Sequence, residues 1–321
     1  MKVPVGREDI ARLFRNAVSC DRLCQAYILY GDEGIGKKTL FSYIASVILC
    51  DSSSSCGECL SCKSFEKNSH PDIARIVREE DKSSIGVKDV RDIKSEVYTR
   101  PTMSKYKVVV MHEAHLATTE AQNAMLKMIE EPPERVVFFL LCDTLSTILP
   151  TILSRCVEIE LKPLGQRDMQ TIFGDSAEDF EISLAMGNPG KLIKLMSDTQ
   201  YTATRDEVID AFSLIASEDS FSAYLAAARL DKIKDGRDKI LGIMLSFARD
   251  VYFRKMGLDR EIINKDKINY IDSFCTKLTD KACFKITELI IDTQNQKGKN
   301  GNFLIAMTLL LLKCRSEISK K

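Results

Sequence analysis

The segment Gly31-Asp32-Glu33-Gly34-Ile35-Gly36-Lys37 constrains this chain more than any other stretch. It follows the apolar run Ala26-Tyr27-Ile28-Leu29-Tyr30 and precedes a helical stretch, Lys38 to Leu49. That is the strand–loop–helix context of a phosphate-binding loop. The glycines let backbone N–H groups turn toward an anion, the helix N-terminus adds positive potential, and Lys37 brings a charge. One position departs from the motif. The hydroxyl residue that would hold Mg²⁺ after the lysine is replaced by Lys38, and Thr39 comes one residue late, rotated by about 100° on a helix. Phosphate binding through Gly31, Gly34, Gly36, Lys37, Lys38 and Thr39 is compatible with this loop; its Mg²⁺ site is impaired.

Two further apolar runs, Lys107 to Met111 and Val136 to Leu141, read as strands buried on both faces of a parallel sheet. Between them Ala117 to Glu131 reads as a helix stopped by Pro132-Pro133. Strand, helix and strand in this order predict an α/β layer fold. The second strand ends in Met111-His112-Glu113-Ala114-His115, where a phosphoryl-transfer site would carry a carboxylate for the metal. His112 takes that place and Glu113 the adjacent acidic one. Imidazole serves Mg²⁺ poorly, so His112 and His115 are expected to form hydrogen bonds at a strand end rather than to bind a metal. Lys38 and His112 carry the same defect at independent positions, and together they predict weak or absent ATP hydrolysis.

Cys50, Cys56, Cys59 and Cys62 form C-x5-C-x2-C-x2-C. The spacing brings four thiolates around one tetrahedral Zn²⁺ as a closed structural knuckle over residues 50–62. The other seven cysteines are scattered and read as core or surface thiols. Eleven cysteines with no export pattern at Met1 to Glu8 fit a reducing, cytoplasmic setting. The longest apolar run near the C-terminus, Phe303 to Leu312, is half the span of about 20 residues that a membrane helix needs. Lys plus Arg equals Asp plus Glu at 46 each, so contact with a nucleic-acid backbone is expected to be local or shared with partners.

After Leu161 the strand signal fades. Short helices broken at Gly187-Asn188-Pro189-Gly190 give way beyond Arg205 to continuous helical patterns. The expected domains are 1–162, an α/β domain with the knuckle; 163–205, a small helical domain; and 206–321, an all-helical domain.

A phosphate loop followed at once by a cysteine knuckle resembles the bacterial clamp-loader ATPase family, the gamma/tau and delta-prime subunits of DNA polymerase III, which have an AAA+ fold. Val5-Gly6-Arg7-Glu8, His70-Pro71-Asp72, Ile85-Gly86-Val87 with Val90-Arg91, Ala121 to Lys127 with Glu130-Glu131-Pro132-Pro133, and Pro150 to Cys156 all resemble family motifs in family order. The likeness spans roughly residues 3 to 195. It implies that Arg155, within Ser154-Arg155-Cys156, offers an arginine finger to the ATP of a neighbouring subunit. It also implies that 163–205 is a small helical lid and 206–321 an all-α collar used for oligomerisation. Gamma/tau and delta subunits are implied as partners, with the sliding clamp and primed DNA reached through the complex. Three departures favour the delta-prime type, largely silent as an ATPase: Lys38, His112, and Gly190 or Lys191 where a lid arginine would fall. An ATP-hydrolysing gamma/tau-type subunit and a stand-alone P-loop nucleotide kinase are the alternatives.

Overall fold

The computed structural model describes residues 1–79, 81–216, 221–233, 236–295 and 302–318. The chain divides into two compact units. One comprises Met1–Ala177 with Ala185–Ile193, the other Glu178–Leu184 with Lys194–Lys321. Residues 163–205 thus contribute to both.

The first unit is built on five parallel strands: β1 Ala26–Tyr30, β2 Ile73–Ile76, β3 Lys107–Met111, β4 Val136–Cys142 and β5 Val157–Glu160. Their order in the sheet is β2-β3-β4-β1-β5. Strand β4 pairs with both β1 and β3, and all seven of its residues are buried. Its unbroken Val-Phe-Leu run is the composition that burial on two faces requires. Side-chain alternation divides the core. Leu29, Ile73, Val108, Val110 and Phe139 pack on one face with the helices Glu8–Ser19 and Lys37–Leu49. Ile28, Ala74, Val109, Met111, Phe138 and Leu140 pack on the other with the helix Thr119–Glu130. Phe14, Tyr27, Phe41 and Phe139 form a ring cluster at 4.9–6.0 Å under the phosphate-loop helix.

The His70-Pro71-Asp72 segment anchors this unit. Asp72 is fully buried and accepts hydrogen bonds from the N–H groups of Thr102, Met103 and Ser104 and from the Thr102 hydroxyl. Burial opposes ionisation of this carboxyl, but the four donors outweigh it and hold it below the usual range. His70 shares Nε2 hydrogen bonds with Ser61 and Ser104, both of which also donate to the carbonyl of Leu49.

The second unit is helical: Tyr201–Ser213, Ser222–Lys232, Arg237–Lys255, Ile268–Cys275, Asp280–Asn295 and Phe303–Ile318 surround one core. Phe212, Phe247 and Phe274 lie at its centre with centroids 5.5–6.1 Å apart. Arg205, 1% exposed, forks onto Asp266 at 2.6 and 2.9 Å and stacks on Phe180. Among the described residues no helix is long and apolar enough to cross a membrane.

Candidate phosphate-loop site and cysteine cluster

The loop leaves β1 at its carboxyl end and enters the helix Lys37–Leu49, as a phosphate cradle must. Gly31 and Gly34 take φ of 143° and 83°, a region that favours glycine, and neither has room for more. A Cβ on Gly31 would meet the Leu161 carbonyl at 2.6 Å, and one on Gly34 would meet Asn188 at 2.8 Å. The loop is also capped by the segment Gly187 to Lys191. Asn188 Nδ2 donates to the Glu33 carbonyl at 2.8 Å, and the Gly190 N–H donates to the Gly34 carbonyl at 2.9 Å.

A cavity of about 550 Å³ opens beside the loop, lined by Gly34, Gly36, Lys37, Lys38, Thr39 and Glu113 among others. It therefore gathers most of the residues the motif singles out. Lys37 is engaged: its ammonium donates to the Gly31 and Asp32 carbonyls at 2.5 and 2.9 Å and pairs with Asp143 at 2.7 Å. The Asp143 N–H donates to His115 Nδ1 at 3.3 Å, and His115 Nε2 lies 3.4 Å from Asp143 Oδ2. Asp143 was not anticipated from sequence. Its signal is positional, one residue past β4 at the carboxyl end of a strand that neighbours β1, where ligands of open parallel sheets gather.

The acidic strand end divides its residues between two places. Glu113, at φ 51°, lines the phosphate cavity and holds Arg78 at 3.3 Å. His112 lines a second cavity, further along the helix Lys37–Leu49, and among the described residues its buried Nδ1 has no hydrogen-bond partner. Burial, then Lys38 and Arg75, hold its pKa down at about 4, so the ring is neutral at physiological pH. Lys191 is exposed and is not among the residues lining the phosphate cavity.

The four knuckle cysteines converge: their sulfurs all lie within 4.8 Å of one another. Cys50 to Cys56 is 3.7 Å and Cys56 to Cys62 is 4.0 Å. Four Zn–S bonds of about 2.3 Å in a tetrahedron put sulfurs about 3.8 Å apart, so the set fits zinc. Backbone N–H groups of Cys56, Cys59 and Cys62 donate to the sulfurs of Cys50, Cys56 and Cys59 at 3.3–3.5 Å, orienting the ligands. Burial opposes ionisation of Cys50, yet donors from Ser52, Cys56 and Ser54 bring it down to about 5. Burial pushes Cys62 up to about 12. A divalent cation among them would favour the thiolate at every position. Such a shell has no open position; the chemistry zinc would supply is structural.

Arg155 lies on the turn between the helix Pro150–Leu153 and β5. It is exposed, donates to the Thr151 carbonyl at 3.0 Å, and pairs with Glu130 at 2.9 Å. Because β1 and β5 are parallel and Tyr27 pairs with Val157, Arg155 sits at the amino end of the strands while the phosphate loop sits at the carboxyl end. The length of β1, about 16 Å for five residues, separates the two levels.

Residues 6–165 match the family model described as DNA polymerase III, delta subunit, and residues 200–316 match that described as DNA polymerase III, delta subunit, C terminal. The gamma/tau subunit of DNA polymerase III from Mycoplasma genitalium is 31% identical over 226 residues, 69% of this chain and 37% of that protein. The tau subunit from Bacillus subtilis is 31% identical over 221 residues, 68% of this chain and 37% of that protein. The chain spans less than half the length of the curated relatives it matches. Among solved structures, a gamma-subunit-related protein from Thermotoga maritima aligns over 97% of this chain and 99% of its own, with 17% identity and a TM-score of 0.43.

Proposed function

Since the chain belongs to the DNA polymerase III clamp-loader family, with an AAA+ fold, we propose that it acts as the delta-prime-type subunit of the loader. In this reading it is a stationary member of the complex that hydrolyses little or no ATP and lends Arg155 to the ATP of an adjacent gamma/tau subunit. The delta subunit moves against it as the sliding clamp is opened and placed on primed DNA. The lid at 163–205 and the collar at 206–321 hold it in the assembly.

The observation that carries this reading is the position of Arg155. An exposed guanidinium at the opposite sheet end from its own phosphate loop cannot serve a nucleotide held there, and by exchanging its Glu130 partner for a phosphate it would serve a neighbour's. Its planar fork suits phosphoryl oxygens as charge shifts during transfer. The chain's own site supports the complementary half. Lys38 stands where a hydroxyl would hold Mg²⁺, His112 turns to another cavity, and Lys37 is paired with Asp143. ATP or ADP would compete with that carboxylate for Lys37.

Reconstitution with gamma/tau, delta, clamp and primed DNA tests the proposal. Arg155→Ala is expected to slow hydrolysis at the site it faces by about 10³-fold, the scale of an arginine finger, and to block loading. Arg155→Lys should not restore it. Full loading by Arg155→Ala rejects the finger. Mg²⁺-dependent turnover by the isolated chain, abolished by Lys37→Ala, replaces the reading with an ATP-hydrolysing gamma/tau-type subunit.

A further inference from the structure

The cavity that His112 lines has no part in the proposed function. It measures about 330 Å³ and lies between the helix Lys37–Leu49, the knuckle and the edge of the sheet; its walls include Phe41, Ser42, Phe65, Asn68, Arg75 and His112. Strand parity explains the two basic residues. Arg75 follows Ile73 on the face of β2 that packs toward the helix Lys37–Leu49, and His112 follows Val108 and Val110 on the same face of β3.

Arg75 is partly buried, and among the described residues its guanidinium has no hydrogen bond, ion pair or aromatic ring against it. Burial alone holds its pKa below the usual range. A partly desolvated charge with no acceptor on the protein is a ready partner for an anion from solution. Beside it lies His112, whose Nδ1 is also unpartnered. The Ser42 hydroxyl and the Asn68 carboxamide add donors, while Phe41 and Phe65 form an apolar wall. The carboxylate on this cavity, Glu66, belongs to an exposed residue at its rim.

We propose that this cavity is a binding site for a small oxyanion, inorganic phosphate in the first instance, with Arg75 as its two-pronged anchor, Ser42 and Asn68 as supporting donors and His112 in its wall. The guanidinium fork matches two oxygens of a phosphate and leaves the others for the neutral donors. The residues that line this site are distinct from those of the phosphate-loop cavity. It holds whether or not the chain works as the delta-prime-type subunit.

The three histidines make the test direct, because His115 reports the phosphate-loop cavity and His112 the second one. In the zinc-loaded full chain, the imidazole NMR signals of both, assigned with His→Gln variants, are followed as phosphate is added. The expected result is a saturating shift of the His112 signal with His115 unmoved. In Arg75→Gln the shift should need at least tenfold more phosphate. Arg75→Lys, which keeps the charge and loses the fork, should weaken it several-fold and provides the test if Arg75→Gln does not fold. Acetate should act at least tenfold less well than phosphate; an equal response reassigns the occupant to a carboxylate and overturns phosphate as the ligand. Movement of His115 alone, no movement of either ring, or an undiminished response in Arg75→Lys overturns the proposal.

Discussion

Replacing Asp143 with Asn tests how far one carboxylate weakens nucleotide binding at the phosphate loop. Asn preserves the shape of the side chain, and the backbone N–H that holds His115 is untouched. The Lys37–Asp143 pair is short, at 2.7 Å, and unevenly buried, with side-chain exposures of 10% and 34%. A phosphate drawn to Lys37 would come within about 4 Å of that carboxylate, and two unit charges at that distance repel by about 4 kcal/mol at an effective dielectric of 20. One-third exposure of Asp143 and ordinary salt reduce this to about 1.5–3 kcal/mol. Asp143→Asn is therefore expected to tighten binding of ADP by about ten- to a hundredfold. Fluorescence anisotropy of a labelled ADP, run with wild type and variant at two salt concentrations, measures it, and the gain should shrink as salt rises. Hydrolysis should stay absent, because Lys38 and His112 are unchanged. Equal affinity for wild type and variant would refute the argument, placing the barrier in the capping segment Gly187 to Lys191 or at Lys38 instead.

Further tests address the anchors of the fold. Asp72→Ala strands three backbone N–H donors and should cost about 3–5 kcal/mol in urea unfolding. Asp72 titrates below its unfolded value of about 3.9, so its contribution is complete above that pH and is lost as pH falls through the lower folded value; the wild-type minus Asp72→Asn difference should shrink only below about pH 4. His112 has the opposite chemistry with the same sign. Its folded pKa of about 4 lies beneath an unfolded value near 6.5, the unfolded chain binds the extra proton, and stability should fall as pH drops from about 6.5 to about 4. His112→Gln should remove that part of the slope, and an identical slope in wild type and variant would contradict the neutral assignment. Cys59→Ser should release zinc to a chelator that wild type withstands and lower Tm by about 5–10 °C, corresponding to about 2–3 kcal/mol; an unchanged zinc content would remove Cys59 from the ligand set.

What could be read in the sequence followed the strength of the local signal. Strands β1, β3 and β4 were legible because burial on both faces leaves continuous apolar runs. Strand β2 was hidden by its brevity and by Arg75, and β5 by the alternation of Val157-Glu158-Ile159-Glu160, most of which is exposed at the sheet edge. The knuckle was legible because four ligands within thirteen residues leave few other geometries. Asp143 was not, because its reach to Lys37 depends on β4 lying beside β1, a neighbour relation between strands more than a hundred residues apart in the chain. The separation of His112 from Glu113 is likewise tertiary: adjacent residues at a strand end turn to different cavities, and a left-handed backbone at Glu113 accompanies the division.

The attachment of the cysteine cluster has a mechanical consequence. Ser61 and Ser104 converge on the last carbonyl of the phosphate-loop helix, and His70 joins them to the strand that follows. The cluster is thus riveted to the frame at the tail of the element whose head forms the anion cradle. Pulling the ion out would slacken that rivet first, and the disturbance would travel along a stiff rod of thirteen residues toward Lys37. A metal with no catalytic duty would then still govern how firmly the far end is held.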